Sequence, residues 1–92
     1  VLGHSSCGAV KAAVEGLREA HLAAIVKSIT PAVRKARGER GDLLFNAMRS
    51  NVRHAVAALN QSKPVLAEKV AGRKLLIAGA YYELDTGAIV AL

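Results

Sequence analysis

Ninety-two residues with 52% hydrophobic but only 3% aromatic content allow one small, marginally stable domain whose core is Ala, Val, Leu and Ile. No apolar run approaches the roughly 18 residues of a membrane span, and the lone cysteine, Cys7, excludes an internal disulfide, so the chain reads as soluble, with the cytoplasm as default compartment. A net charge of +6 and a pI near 10.0 raise nucleic acid as a partner, but too few aromatic residues for base stacking and no nucleic-acid motif leave a solvated basic face as the better reading.

The chain opens on Val1-Leu2-Gly3, the end of a buried strand passing into a small, polar turn that holds His4 and Cys7. A lone cysteine is ordinarily a small buried hydrophobe. An H-x-x-C turn, however, lets an imidazole and a thiolate converge on one zinc ion, although two ligands do not make a site. A short amphipathic helix is expected over about 8–18, with Val10, Val14 and Leu17 on one side and Lys11 and Glu15 on another. Opened by Gly8, it would aim free amides and partial positive charge at whatever lies beside Cys7.

Leu22, Ile25, Val26 and Ile29 mark a second helix, and Thr30-Pro31 read as the cap and first-turn proline of a third, running to about Arg37. Gly38-Glu39-Arg40-Gly41 reads as a mobile charged loop, after which Asp42 caps the longest helix, about 43–60. Leu44, Met48, Val52, Ala55, Val56 and Leu59 form its apolar stripe, while Arg49, Arg53 and His54 fall outside it. His21 and His54 have no second donor at ligand spacing and are expected at the surface. Asn51 adjoins the stripe and is expected to tie down backbone near the core.

Ser62 and Pro64 are expected to cap a further short helix closed by Gly72. Lys74 to Tyr82 is the most strand-like run, apolar on both parities as in a central parallel strand, with Gly79 permitting close backbone approach. Glu83-Leu84-Asp85-Thr86-Gly87 should return the chain into an antiparallel strand, Ala88 to Leu92, whose exposed apolar edge suggests a subunit contact. Strand, helices and strand in this order give an α/β unit with a long right-handed crossover.

Gly3-His4-Ser5-Ser6-Cys7-Gly8, then Asn51-Val52 in a long helix, then Gly72 to Tyr82 and Glu83-Leu84-Asp85-Thr86-Gly87, resemble in order the later landmarks of the β-class carbonic anhydrases, including a G-x-x-Y-x-x-x-T-G ending. The resemblance spans nearly the whole chain. It implies a single partial domain over 1–92: helices packed on a mainly parallel sheet with an antiparallel edge strand, the C-terminal portion of that catalytic domain. It implies Zn2+ as cofactor, held in part by His4 and Cys7, and reversible hydration of carbon dioxide to bicarbonate and a proton. The amide of Gly8 would face bound anions, and the chain would form a homodimer or higher even oligomer. The family's upstream C-x-D-S-R motif, source of the other zinc cysteine, has no counterpart here, so the piece is expected to be incomplete as a catalyst. The alternative reading is a non-catalytic dimerisation module built from the helices and the edge strand.

Overall fold

A computed structural model describes all of residues 1–92. The elements run β1 (Leu2–His4), α1 (Gly8–Glu15), α2 (Ala23–Ala36), α3 (Leu43–Asn60), α4 (Val65–Ala71), β2 (Ala80–Tyr82) and β3 (Ile89–Ala91). The sheet order is β1-β2-β3, with β1 parallel and β3 antiparallel to β2. Leu2 pairs with Ala80 and His4 with Tyr82, and on the other side Tyr82 pairs with Ile89. The expected α/β unit with its antiparallel edge strand is therefore present.

Local chemistry sets most of the helix ends. Asp42 caps α3 as expected, its carboxylate accepting from the Phe45 amide at 2.9 Å, an interaction that stabilises a helix by about 1 kcal/mol. α1 stops at Glu15 rather than near residue 18, because Gly16 takes a left-handed φ of 70° and Leu17 donates back to the Ala12 carbonyl. α4 is closed by Gly72, but Ser62 helps to start it through its carbonyl, which accepts from Ala67, and no side chain caps it.

Two expectations fail for identifiable reasons. Residues 23–36 form one helix, not two, with Pro31 inside it. Pro31 has no amide to give the Lys27 carbonyl, yet packing of Ile29, Ala32, Val33 and Ala36 into the core holds the helix through the gap. Thr30 does not cap; its hydroxyl donates to the Val26 carbonyl at 2.7 Å, as an interior threonine does. The strand expected over 74–82 is reduced to Ala80–Tyr82. A ladder needs a partner, and β1 reaches only far enough to bind Ala78 and Ala80 through Val1, leaving Leu76 85% exposed.

The core lies where α1, α2 and α3 meet and consists of Val10, Ala13, Ile29, Val33, Ala36, Ala47, Met48 and Val52. Its alanines let the helix axes approach closely. α3 is buried on two sides, with Met48 and Val52 facing the sheet and Ala47 and Ser50 also out of solvent. Only 12 of 92 residues are buried, and the radius of gyration is 14.3 Å where a compact domain of this length has about 12 Å. The unit is open on its sheet side: Ile89 is 65% and Leu2 59% exposed.

Three contacts clamp α3 and the strand ends together. A Cβ on Gly3 would stand 2.5 Å from Val52 Cγ2, and one on Gly79 2.8 Å from Val52 Cγ1. These two glycines are the reason α3 can lie directly on the sheet. At the opposite end of β1, the Ser5 amide donates to the Tyr82 carbonyl, its hydroxyl donates to Glu83 Oε1 at 2.9 Å, and the same hydroxyl oxygen accepts from the Leu84 amide at 2.9 Å. Phe45 adds an edge-to-face contact with Tyr81, with ring centroids 5.2 Å apart.

Gly3→Ala and Gly79→Ala should each lower the free energy of unfolding in urea by about 1–3 kcal/mol through overpacking. Because both collide with Val52, a Val52→Ala background should return part of each loss; strict additivity would show that the clash is not the cause. Ser5→Ala should cost about 1–2 kcal/mol and speed hydrogen exchange at the Leu84 amide more than at amides within α3; unchanged exchange at Leu84 would show that this hydroxyl does not hold the turn.

Candidate functional site

β1 ends on His4, and the turn that follows places Cys7 at the N-terminal boundary of α1. The turn is tight because Ser6, though not a glycine, takes a left-handed φ of 55°, a conformation that costs a non-glycine residue roughly 1 kcal/mol or more. His4 and Cys7 thereby open onto one cavity of about 250 Å3, walled by Leu2, Met48, Asn51 and Val52. His4 is exposed and Cys7, a free thiol, is half-buried.

The histidine is oriented by its own turn. Its Nδ1 lies 2.9 Å from the Ser5 carbonyl oxygen, which can only accept, so Nδ1 is the donor, and in the neutral imidazole Nε2 is the nitrogen open to a metal. The Cys7 side chain caps nothing. At Gly8 a Cβ would meet nothing within 4 Å, and the amides of Gly8, Ala9 and Val10 precede the first intrahelical bond, which Lys11 donates to the Cys7 carbonyl. Gly8 itself lines neither of the two clefts that Cys7 borders.

An imidazole and a thiol suit zinc in kind. In number they fall short: nowhere in the chain do three His, Cys, Asp or Glu side chains converge as a metal-binding group. On its other side Cys7 borders a second cleft of about 210 Å3 that also contains Asp42, Glu83 and Asp85, but these carboxylates do not complete a ligand set with it. His21 and His54 are both exposed, as expected, and His21 lies 3.4 Å from Glu19 rather than near the site.

Asn51 does not tie down backbone. It makes no side-chain hydrogen bond within the chain and lines the His4–Cys7 cavity instead. The backbone tie belongs to Asn46, which donates to the Arg40 carbonyl at 2.9 Å and joins the 38–41 loop to α3. Ser5 latches the turn after β2, and no local pattern in the sequence marks it, because its partners are 78 and 79 positions away.

The carbonic anhydrase family model matches residues 1–89. The chain is 33% identical over 95 residues to carbonic anhydrase 2 of Mycobacterium tuberculosis, covering 98% of this chain and 46% of that protein. It is 36% identical over 97 residues to a carbonic anhydrase of Mycolicibacterium smegmatis, again covering 46% of the relative. Among solved structures, the β-carbonic anhydrase CcaA superposes with a TM-score of 0.79 at 26% identity, over 99% of this chain and 48% of that one. Tetrameric β-carbonic anhydrases of Sordaria macrospora share the fold at a TM-score of 0.82 and 20% identity, with 49% of that chain covered. The chain thus spans about half the length of the relatives it matches, and it belongs to the β-carbonic anhydrase family, whose C-terminal portion it represents.

Proposed function

We propose that this chain is part of a zinc-dependent carbonic anhydrase that interconverts carbon dioxide with bicarbonate and a proton. The observation that carries the reading is the placement of His4 and Cys7 on one cavity at the start of α1, in a chain of this family. Bound zinc supplies the Lewis acidity that makes water a competent nucleophile at neutral pH. His4 would offer Nε2 and Cys7 its thiolate. The Ser5 carbonyl holds the imidazole in the required tautomer. The Gly8 amide, free at the helix start, suits an anionic oxygen of bicarbonate. Leu2, Met48 and Val52 give the cavity the apolar wall that carbon dioxide favours.

Two ligands hold zinc weakly, so the remaining donors come from outside these 92 residues, either from further sequence or from a second subunit. The unpaired outer edge of β3, with Ile89 and Val90 exposed, supports assembly into a homodimer or higher even oligomer. That same edge favours a second reading, a non-catalytic dimerisation module, which predicts retained association without metal binding.

The purified chain should hold well under one zinc per chain after dialysis against a chelator, and Cys7→Ser or His4→Gln should remove what remains. A chimera joining the first half of the mycobacterial relative to this chain should bind zinc and hydrate carbon dioxide in a stopped-flow indicator assay, with Cys7→Ser lowering the rate by more than about 100-fold. A folded, zinc-loaded but inactive chimera, or one indifferent to Cys7→Ser, would refute the catalytic reading.

A further inference from the structure

The α2–α3 pair carries a charge pattern that neither the core nor the zinc ligands explain. α2 contains Lys27, Arg34 and Lys35, α3 contains Arg49, Arg53 and His54, and neither helix has a single carboxylate. The ion pairs of the chain lie elsewhere, at Lys11–Glu15 and Glu19–His21. Where the two helices run side by side, two clefts open end to end and share Pro31 and His54. The larger, about 580 Å3, is bordered by Lys27. The smaller, about 210 Å3, is bordered by Lys35 and Arg53 and has Ser50 among its lining.

Ser50 is the independent observation. It is only 7% exposed, yet its hydroxyl makes no hydrogen bond within the chain. A buried serine inside a helix ordinarily gives its proton to a carbonyl one turn back, as Thr30 does on the facing helix. Ser50 keeps its donor unspent on a cleft whose rim is cationic. The one buried side-chain polar atom without a partner is Arg49 Nε, so the Ser50 oxygen is open to the cleft and its donor is free for a group that enters there.

We propose that this cleft is an anion site, separate from the His4–Cys7 cavity, that takes the phosphate dianion of a small molecule. Arg53 can present two parallel N–H donors to two phosphate oxygens, Lys35 supplies a compact positive charge, and Ser50 donates to an oxygen seated most deeply. The adjoining larger cleft, about 580 Å3, lies within the about 300–1,000 Å3 of small-molecule sites and would hold the rest of the molecule, whereas single strands of nucleic acid need aromatic platforms, and no Phe, Tyr or Trp lines either cleft.

The test is titration of the 15N-labelled chain with inorganic phosphate, followed by amide correlation spectra, with chloride and bicarbonate at matched ionic strength and glycerol phosphate as parallel arms. Saturable shifts confined to amides around 27–35 and 50–54 are expected with phosphate and absent with chloride; a tighter response to glycerol phosphate would identify a phosphomonoester rather than the free ion as the ligand. Arg53→Gln and Ser50→Ala should each weaken binding about fivefold or more, with the unfolding midpoint of Ser50→Ala unchanged or raised. Arg18→Gln, which removes the same charge away from the cleft, should bind as the parent does. Equal shifts with chloride or bicarbonate, equal weakening by Arg18→Gln, or full phosphate binding by Ser50→Ala would each overturn the proposal, as would salt-sensitive association with duplex DNA in the absence of saturable phosphate shifts.

Discussion

The contact on which the rest depends is the approach of Val52 to the backbone of β1 and of the segment entering β2. Gly3 and Gly79 present bare backbone to the two methyl groups of one β-branched side chain, whose χ1 has little freedom to yield. Val52 and Met48 then serve twice. Toward the helices they belong to the core, and toward the sheet they wall the cavity onto which His4 and Cys7 open. Any substitution that lifts α3 from the sheet therefore moves the wall of the site as well as loosening the core.

The turn between His4 and Cys7 is the second fixed point, and it is held from outside itself. Ser6 occupies an unfavourable left-handed conformation, which persists only where surrounding bonds over-determine it. Ser5 provides those bonds by joining the Tyr82 carbonyl, the Glu83 carboxylate and the Leu84 amide. The spacing of His4 and Cys7 is thus set by the β2–β3 connection as much as by the four residues that contain them. Gly87, with a φ of 74°, closes that connection and returns the chain to Ala88.

What could be read from the sequence followed from local rules. Asp42 before an amphipathic run marks the start of α3, the turn residues 83–87 mark the return into β3, and Gly79 in an apolar run marks a close backbone approach, as the structure has them. The failures share a different cause: each depended on residues distant in sequence. Pro31 reads as a helix start until the core contacts of Ile29 and Val33 override it. Lys74 to Ile77 read as strand until the extent of β1 denies them a partner. Asn51 and Asn46 exchange roles because only the folded loop shows which amide meets the Arg40 carbonyl. Of the candidate site, the sequence shows His4 and Cys7 three positions apart, but not the Ser5 contacts that hold the turn between them.

The thin core and the open His4–Cys7 cavity are one feature viewed at two scales. Val1 and Leu2 are substantially exposed, and both border the cavity that His4 and Cys7 share. Fully burying a side chain of this kind stabilises a fold by about 1.5–3 kcal/mol, so the apolar surface of β1 and the outer side of β3 give any covering element a strong reason to dock. Leu2, the exposed apolar residue of β1, is also part of the wall of the His4–Cys7 cavity. Covering that wall would exclude water from it and lower the local dielectric around the imidazole and the thiol. On the proposed reading, completion of the metal site and covering of the apolar face are therefore coupled, because Leu2 belongs to both.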